Sequence, residues 1–148
     1  MPTYQLAQVN VARLLAPLDS EQLAGFVASL EPINALADQS PGFIWRLKTE
    51  AGNATGSKAF DDTMILINLS VWESIEALRR FVFDSPHTPV MKRRREWFDK
   101  FKTAYVALWW IESGHIPTPD EAIQRLHSID QYGSTQFAFT FRQPFDKP

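Results

Sequence analysis

The 148-residue chain contains no cysteine, which excludes a disulfide scaffold, a thiolate zinc site, an iron–sulfur cluster and a cysteine nucleophile. It also lacks an excess of either charge: 15 Lys and Arg stand against 17 Asp and Glu, and a net charge of −2 does not describe a polyanion-coating protein. No eighteen apolar residues run together, and the first twenty residues lack a basic start followed by an apolar stretch. The expectation is a cytoplasmic protein that neither spans a membrane nor carries a secretion signal. The three histidines, His87, His115 and His127, are not at metal-ligand spacing, and no Gly-x-Ser-x-Gly elbow occurs. The only Gly-rich stretch, residues 50–62, lacks P-loop spacing and is too short to be a linker between separate domains. Metal hydrolase, serine hydrolase and nucleotidase chemistry therefore have no visible machinery.

What is present is a chain that is 45% hydrophobic, enough for one substantial core, and a single domain is expected over residues 1–148. Tyr4 to Val11 reads as a strand. Asp19 with Gln22 three residues later reads as a cap, opening a helix that carries Leu23, Phe26, Val27, Leu30, Ile33 and Leu36 and that Pro32 should kink or split. Phe43 to Lys48 and Thr63 to Ser70 read as strands two and three, joined by a long polar loop. Ser70-Val71-Trp72-Glu73 fits a capping box ahead of a second helix bearing Ile75, Leu78, Phe81 and Val82. Thr88-Pro89 opens a third helix reaching Phe101, and Tyr105 to Glu112 is strand four. Thr118-Pro119-Asp120-Glu121 caps a last helix ended by Gly133, and alternating Phe137, Phe139 and Phe141 form a fifth strand.

This order contains the split β-α-β unit, so the expected fold is α+β: a ferredoxin-like antiparallel sheet with helices on one face, plus an extra C-terminal helix and strand. The opposite sheet face would carry Trp45, Trp110, Ile65 and Ile67, residues too apolar to stay wet. A homodimer pairing two such faces is the expected remedy.

The segments Asn10-Val11-Ala12-Arg13, Ser40-Pro41-Gly42-Phe43-Ile44-Trp45-Arg46, Ser70 to Leu78, Arg93 to Phe98 and Gly114-His115-Ile116-Pro117 resemble an uncharacterised bacterial family, a domain of unknown function. That family is usually placed in the dimeric α+β barrel superfamily, beside antibiotic biosynthesis monooxygenases and heme-degrading monooxygenases. The resemblance implies the dimeric barrel fold. In the cofactor-independent monooxygenases an Asn-x-x-x-Trp motif ends a strand, and Asn68-Leu69-Ser70-Val71-Trp72 is similar in residue type and position. There the Asn holds a substrate oxygen; a neutral amide donor stabilises an enolate or phenolate without adding a titrating charge. The alternative is that Asn68 bonds within the protein and Trp72 is core. Heme degraders use an Asn on the first strand, a Trp and a proximal His; Asn10 matches the first, but Phe81 and Met91 stand at the other two positions, leaving His87 as a remote substitute.

Arg94 falls on the apolar stripe of the third helix, between Val90/Met91 and Trp97/Phe98, and a guanidinium there must be paired or face a pocket. Residues 79–102 hold eight basic side chains against Asp84, Glu96 and Asp99, yet no nucleic-acid-binding signature accompanies them and no nucleic acid partner is expected. Trp109 and Trp110 point to opposite faces of strand four, so one is core and the other is either dimer core or a pocket wall for a flat ligand. His115 is placed to act as a base at a pocket mouth or to bond backbone in its turn. Together these residues describe a small-molecule-binding α+β barrel protein, monooxygenase-like, taking an aromatic or polyketide-like metabolite without cofactor. Asn68 and Arg94 would be catalytic, and Trp72, Trp45, Trp110, Asn10, His87 and His115 substrate-binding. A noncatalytic metabolite-binding dimer and a heme-binding protein are the competing readings.

Overall fold

The computed structural model describes residues 3–16, 20–47, 65–83, 97–99 and 104–148. The chain runs β1 (Tyr4–Leu14), α1 (Ala24–Gln39), β2 (Phe43–Arg46), β3 (Ile65–Trp72), α2 (Ile75–Phe83), β4 (Phe98–Asp99), β5 (Val106–Glu112) and α3 (Pro119–Tyr132). All pairings are antiparallel. β1 is central: β3 lies along one side of it, β5 and the short β4 share the other, and β2 closes the edge beyond β3. Reading across, β2-β3-β1-β5 is the strand order of a ferredoxin-like α+β fold, in agreement with the sequence expectation.

Residues directly opposite in an antiparallel ladder share a face, so the register sorts the side chains. Leu6, Gln8, Asn10 and Ala12 of β1 share one face with Trp72, Ser70, Asn68 and Leu66 of β3 and with Trp110, Leu108 and Val106 of β5. At one end of this face Leu6, Trp72 and Leu108 pack with Ala77, Leu78 and Phe81 of α2 and with Phe139. At the other end Leu14 and Leu66 pack with Leu23, Phe26 and Trp97.

The second face is a continuous apolar layer. Ala7, Val9, Val11, Ile67, Leu69, Val71, Ala107, Trp109 and Ile111 are each 5% exposed or less and cluster with Ala122 and Leu126 of α3. This corrects the expectation of a face left open for a second copy. Ile67 is buried here under the chain's own last helix, because α3 crosses to the side away from α1 and α2 and does the covering itself.

Several local expectations are also corrected. α1 begins after Leu23, which makes no side-chain cap bond, and continues through Pro32 as a single helix. The Asp19 of the expected cap lies outside the described residues, as does the start of the expected third helix at Thr88-Pro89. Ser70 and Trp72 belong to β3, and the cap of α2 is Ser74, whose Oγ accepts from the Ala77 N–H at 3.1 Å. Tertiary pairing claims Ser70 first: its hydroxyl is bound inside the sheet. Phe98–Asp99 pairs with Arg13 and Leu14 as strand where helix was expected. The fifth strand is reduced to isolated bridges, Phe139 exchanging both backbone bonds with Leu108 at 2.8 Å and Thr140 bridging only the nearby Gln143. The last helix starts and stops as expected, with Thr118 Oγ1 accepting from the Glu121 N–H at 3.1 Å and Gly133 ending it at φ 72°.

Candidate functional site

Alternation along β1 and β3 puts two apolar ends and a polar middle on the α1/α2 face. Between Leu6 and Leu14 lie Gln8, Asn10 and Ala12; between Trp72 and Leu66 lie Ser70 and Asn68. In the middle of central strands such positions normally pack against the helices, and polar groups are tolerated there only if bonded or wet. Both conditions are met. Gln8 is 8% exposed and Ser70 6%, whereas Asn10 and Asn68, Cα partners in the ladder, are exposed.

A chain of side-chain bonds links the buried and open members. The Trp72 indole N–H donates to Ser70 Oγ at 2.8 Å. Gln8 Nε2 donates to Ser70 Oγ at 2.7 Å and to Asn68 Oδ1 at 2.6 Å. At the β2 side of the strip, Arg46, opposite Ser70 in register, holds Asp38 of α1 through two bonds of 2.8 and 3.3 Å. The polar strip thus has a charged pair at one flank and aromatic clusters at its end: Phe43, Trp72 and Phe81 with ring centroids 5.4 and 5.2 Å apart, and Trp110, Phe139 and Phe145 at 6.4 and 6.0 Å.

Of the residues singled out in the sequence, Asn10 and Asn68 come together here. Trp72 lies at the Leu6 end of the same face, 1% exposed, so it supports the strip through its N–H rather than presenting a ring to a ligand. Trp110 shares this face and is half-buried, its indole N–H donating to the Phe145 carbonyl at 2.8 Å under the C-terminal segment. Trp45 pairs with Val71 and packs on the opposite face, which separates it from Asn68 and rules out a shared ring wall. Arg94 and His87 lie outside the described residues. Gln8 and Ser70 were missed by sequence reasoning; the signal was there, since Gln8 shares the period-two parity of Leu6 and Asn10 and so falls on the same face as the Asn10 candidate.

His115 belongs to a separate cluster in the turn before α3. Its Nε2 lies 2.8 Å from Glu121 Oε1, and Glu121 Oε2 accepts from the buried Trp109 indole at 2.9 Å. Burial works to raise the Glu121 carboxyl, but the bonds from His115 and Trp109 and the charges of His115 and Arg125 outweigh it and hold it below the ordinary value. Arg125 lies over the rings of Phe137 and Trp109 at 3.7 and 5.6 Å, and its own pKa is lowered by burial against the pull of Glu121. A shallow groove of about 390 Å³ on the outer side of α3 is lined by Gln124, His127, Ser128, Gln131, Tyr132, Thr135 and Phe137, none of them a residue of the polar strip. Among the described residues no group of three or more His, Asp or Glu is arranged to hold a metal, and no helix is long and apolar enough to cross a membrane.

Residues 5–148 match the family model described as "Domain of unknown function (DUF3291)". No curated protein matches the chain. A crystal structure of the NE2512 protein of unknown function from Nitrosomonas europaea is similar at a TM-score of 0.46 and 13% identity, over 79% of this chain and 96% of that one.

Proposed function

The chain belongs to this family of unknown function, and from that premise we propose that it binds a small planar aromatic or polyketide-like molecule on the α1/α2 face of its sheet. The observation that carries the reading is the exposed carboxamide pair, Asn10 and Asn68, in the middle of the two central strands between apolar clusters at either end. From Gln8 to Ala12 the strip is about 13 Å of strand, room for a fused-ring ligand with its edges on the apolar ends. The donors at its centre are neutral, which suits a ligand oxygen that gains negative charge.

The finer reading is cofactor-independent oxygenation. Asn68 would hold the oxygen of an enolate or phenolate, the electron-rich form that reacts with dioxygen; one oxygen atom enters the substrate as a carbonyl and the other leaves with the two displaced hydrogens as water. A small molecule is the partner proposed. The homodimer expected through the second sheet face loses its motive, since α3 occupies that face.

Titration of isotope-labelled protein with 1-naphthol tests the binding. Resonances of Gln8, Asn10 and Asn68 should shift together while Ala122 and Leu126 stay in place. Shifts confined to Gln124, His127 and Tyr132 would move the site to the α3 groove and end this reading. Oxygen uptake with a hydroquinone substrate, lost in Asn68→Ala, tests the catalytic step.

A further inference from the structure

We infer that Gln8 is a positioning residue that makes Asn68 present its N–H groups to the ligand, so that the site selects molecules offering an oxyanion; the inference rests on the polar strip being a ligand site. The Gln8 amide nitrogen has two hydrogens and both are committed, one to Asn68 Oδ1 at 2.6 Å and one to Ser70 Oγ at 2.7 Å. Ser70 is itself anchored by the Trp72 indole at 2.8 Å, a group that can only donate. With Trp72 at 1%, Ser70 at 6% and Gln8 at 8% exposure, these three are locked in the core and only Asn68 reaches the open side.

The consequence follows from the planarity of a carboxamide. Asn68 Oδ1 is turned inward to Gln8, which leaves Nδ2 and its two hydrogens on the outward edge. Asn10 stands directly opposite on β1, about 4.5–5.5 Å away between Cβ atoms, and adds a second carboxamide. Among the described residues, charges nearby do not supply the selectivity: Arg46 of β2 is neutralised by Asp38 of α1, and Glu76, Arg79 and Arg80 are on the exposed side of α2. Donors aimed outward without an acceptor favour a phenolate or enolate over its protonated form, whereas an Asn68 carbonyl aimed outward would favour the neutral phenol.

Two measurements test this. In the ligand-free protein, hydrogen exchange of side-chain amides should be slow for both Gln8 Nε2 hydrogens and fast for those of Asn68. The reverse pattern would overturn the inference and leave the binding reading standing. The second measurement uses 4-nitrophenol, which absorbs in the visible only as phenolate. Bound to the parent its pKa should fall by about one unit, an approximately tenfold preference for the anion. In Gln8→Met, whose similar length and shape keep the packing, the preference should shrink toward onefold as the Asn68 amide is released. An unchanged preference in Gln8→Met would overturn the positioning role, while absence of any dye binding to the parent would remove the ligand site and this inference together.

Discussion

At the residue scale, three side chains carry consequences that their neighbours dictate. Ser70 accepts from Gln8 and from Trp72, both buried; Ser70→Ala leaves those two donors without an acceptor and is expected to cost about 1–3 kcal/mol in urea unfolding. Gly42 sits at φ 85°, and a Cβ there would come 2.5 Å from the Ala77 Cβ, so Gly42→Ala combines a left-handed backbone with a clash against α2. A loss above about 1 kcal/mol is expected, read as a lowered denaturation midpoint. Glu121 has a folded-state pKa below its ordinary 4.5. A carboxylate depressed in this way stabilises the protein above its unfolded pKa, and that contribution is lost as pH falls through the folded value. Melting temperatures from pH 7 to pH 3 should therefore drop below pH 4.5 in the parent, and some of that slope should be missing in Glu121→Gln.

At the scale of elements, local signals and tertiary claims can be told apart. The α3 signals of Thr118, Pro119 and Gly133 act within one turn of chain and the structure uses each as written, whereas the Glu121 carboxylate of the expected capping box is taken by His115 and Trp109 instead. Thr118→Ala should cost about 1 kcal/mol, measured by chemical denaturation. The Ser70 box failed for the opposite reason: a cap motif competes with a ladder, and β3 pairs with β1 from Ile65 to Trp72 before Ser74 caps α2. The aromatic alternation at residues 137–141 predicts a strand, but Phe137 is turned out under Arg125 and, of the three Phe, only Phe139 pairs with the sheet. Asn10 and Asn68 were both legible as candidates through the resemblance to monooxygenases, Asn68 by the spacing to Trp72 and Asn10 by its place on the first strand. That they are ladder partners required the register, which a one-residue slip would have turned to the other face.

At the scale of the whole molecule, the covering of the second face removes the apolar surface on which a homodimer was expected. Because Ala122 and Leu126 already complete that layer, a 16.9 kDa monomer is expected in light scattering at micromolar concentration. Leu126→Asp places a charge in the seam, and the variant should lose stability and self-associate through the apolar face that α3 leaves. The sequence by itself determined the class of fold, where α3 starts and stops, and the residue types available for chemistry, because periodicity and caps are properties of neighbouring residues. Only the tertiary structure decided which sheet face α3 would cover, that Trp45 and Asn68 would lie on opposite sides, and that Gln8 would bind Asn68 and Ser70. Those are contacts between residues some sixty positions apart, and no local pattern encodes which of two faces a helix crosses to.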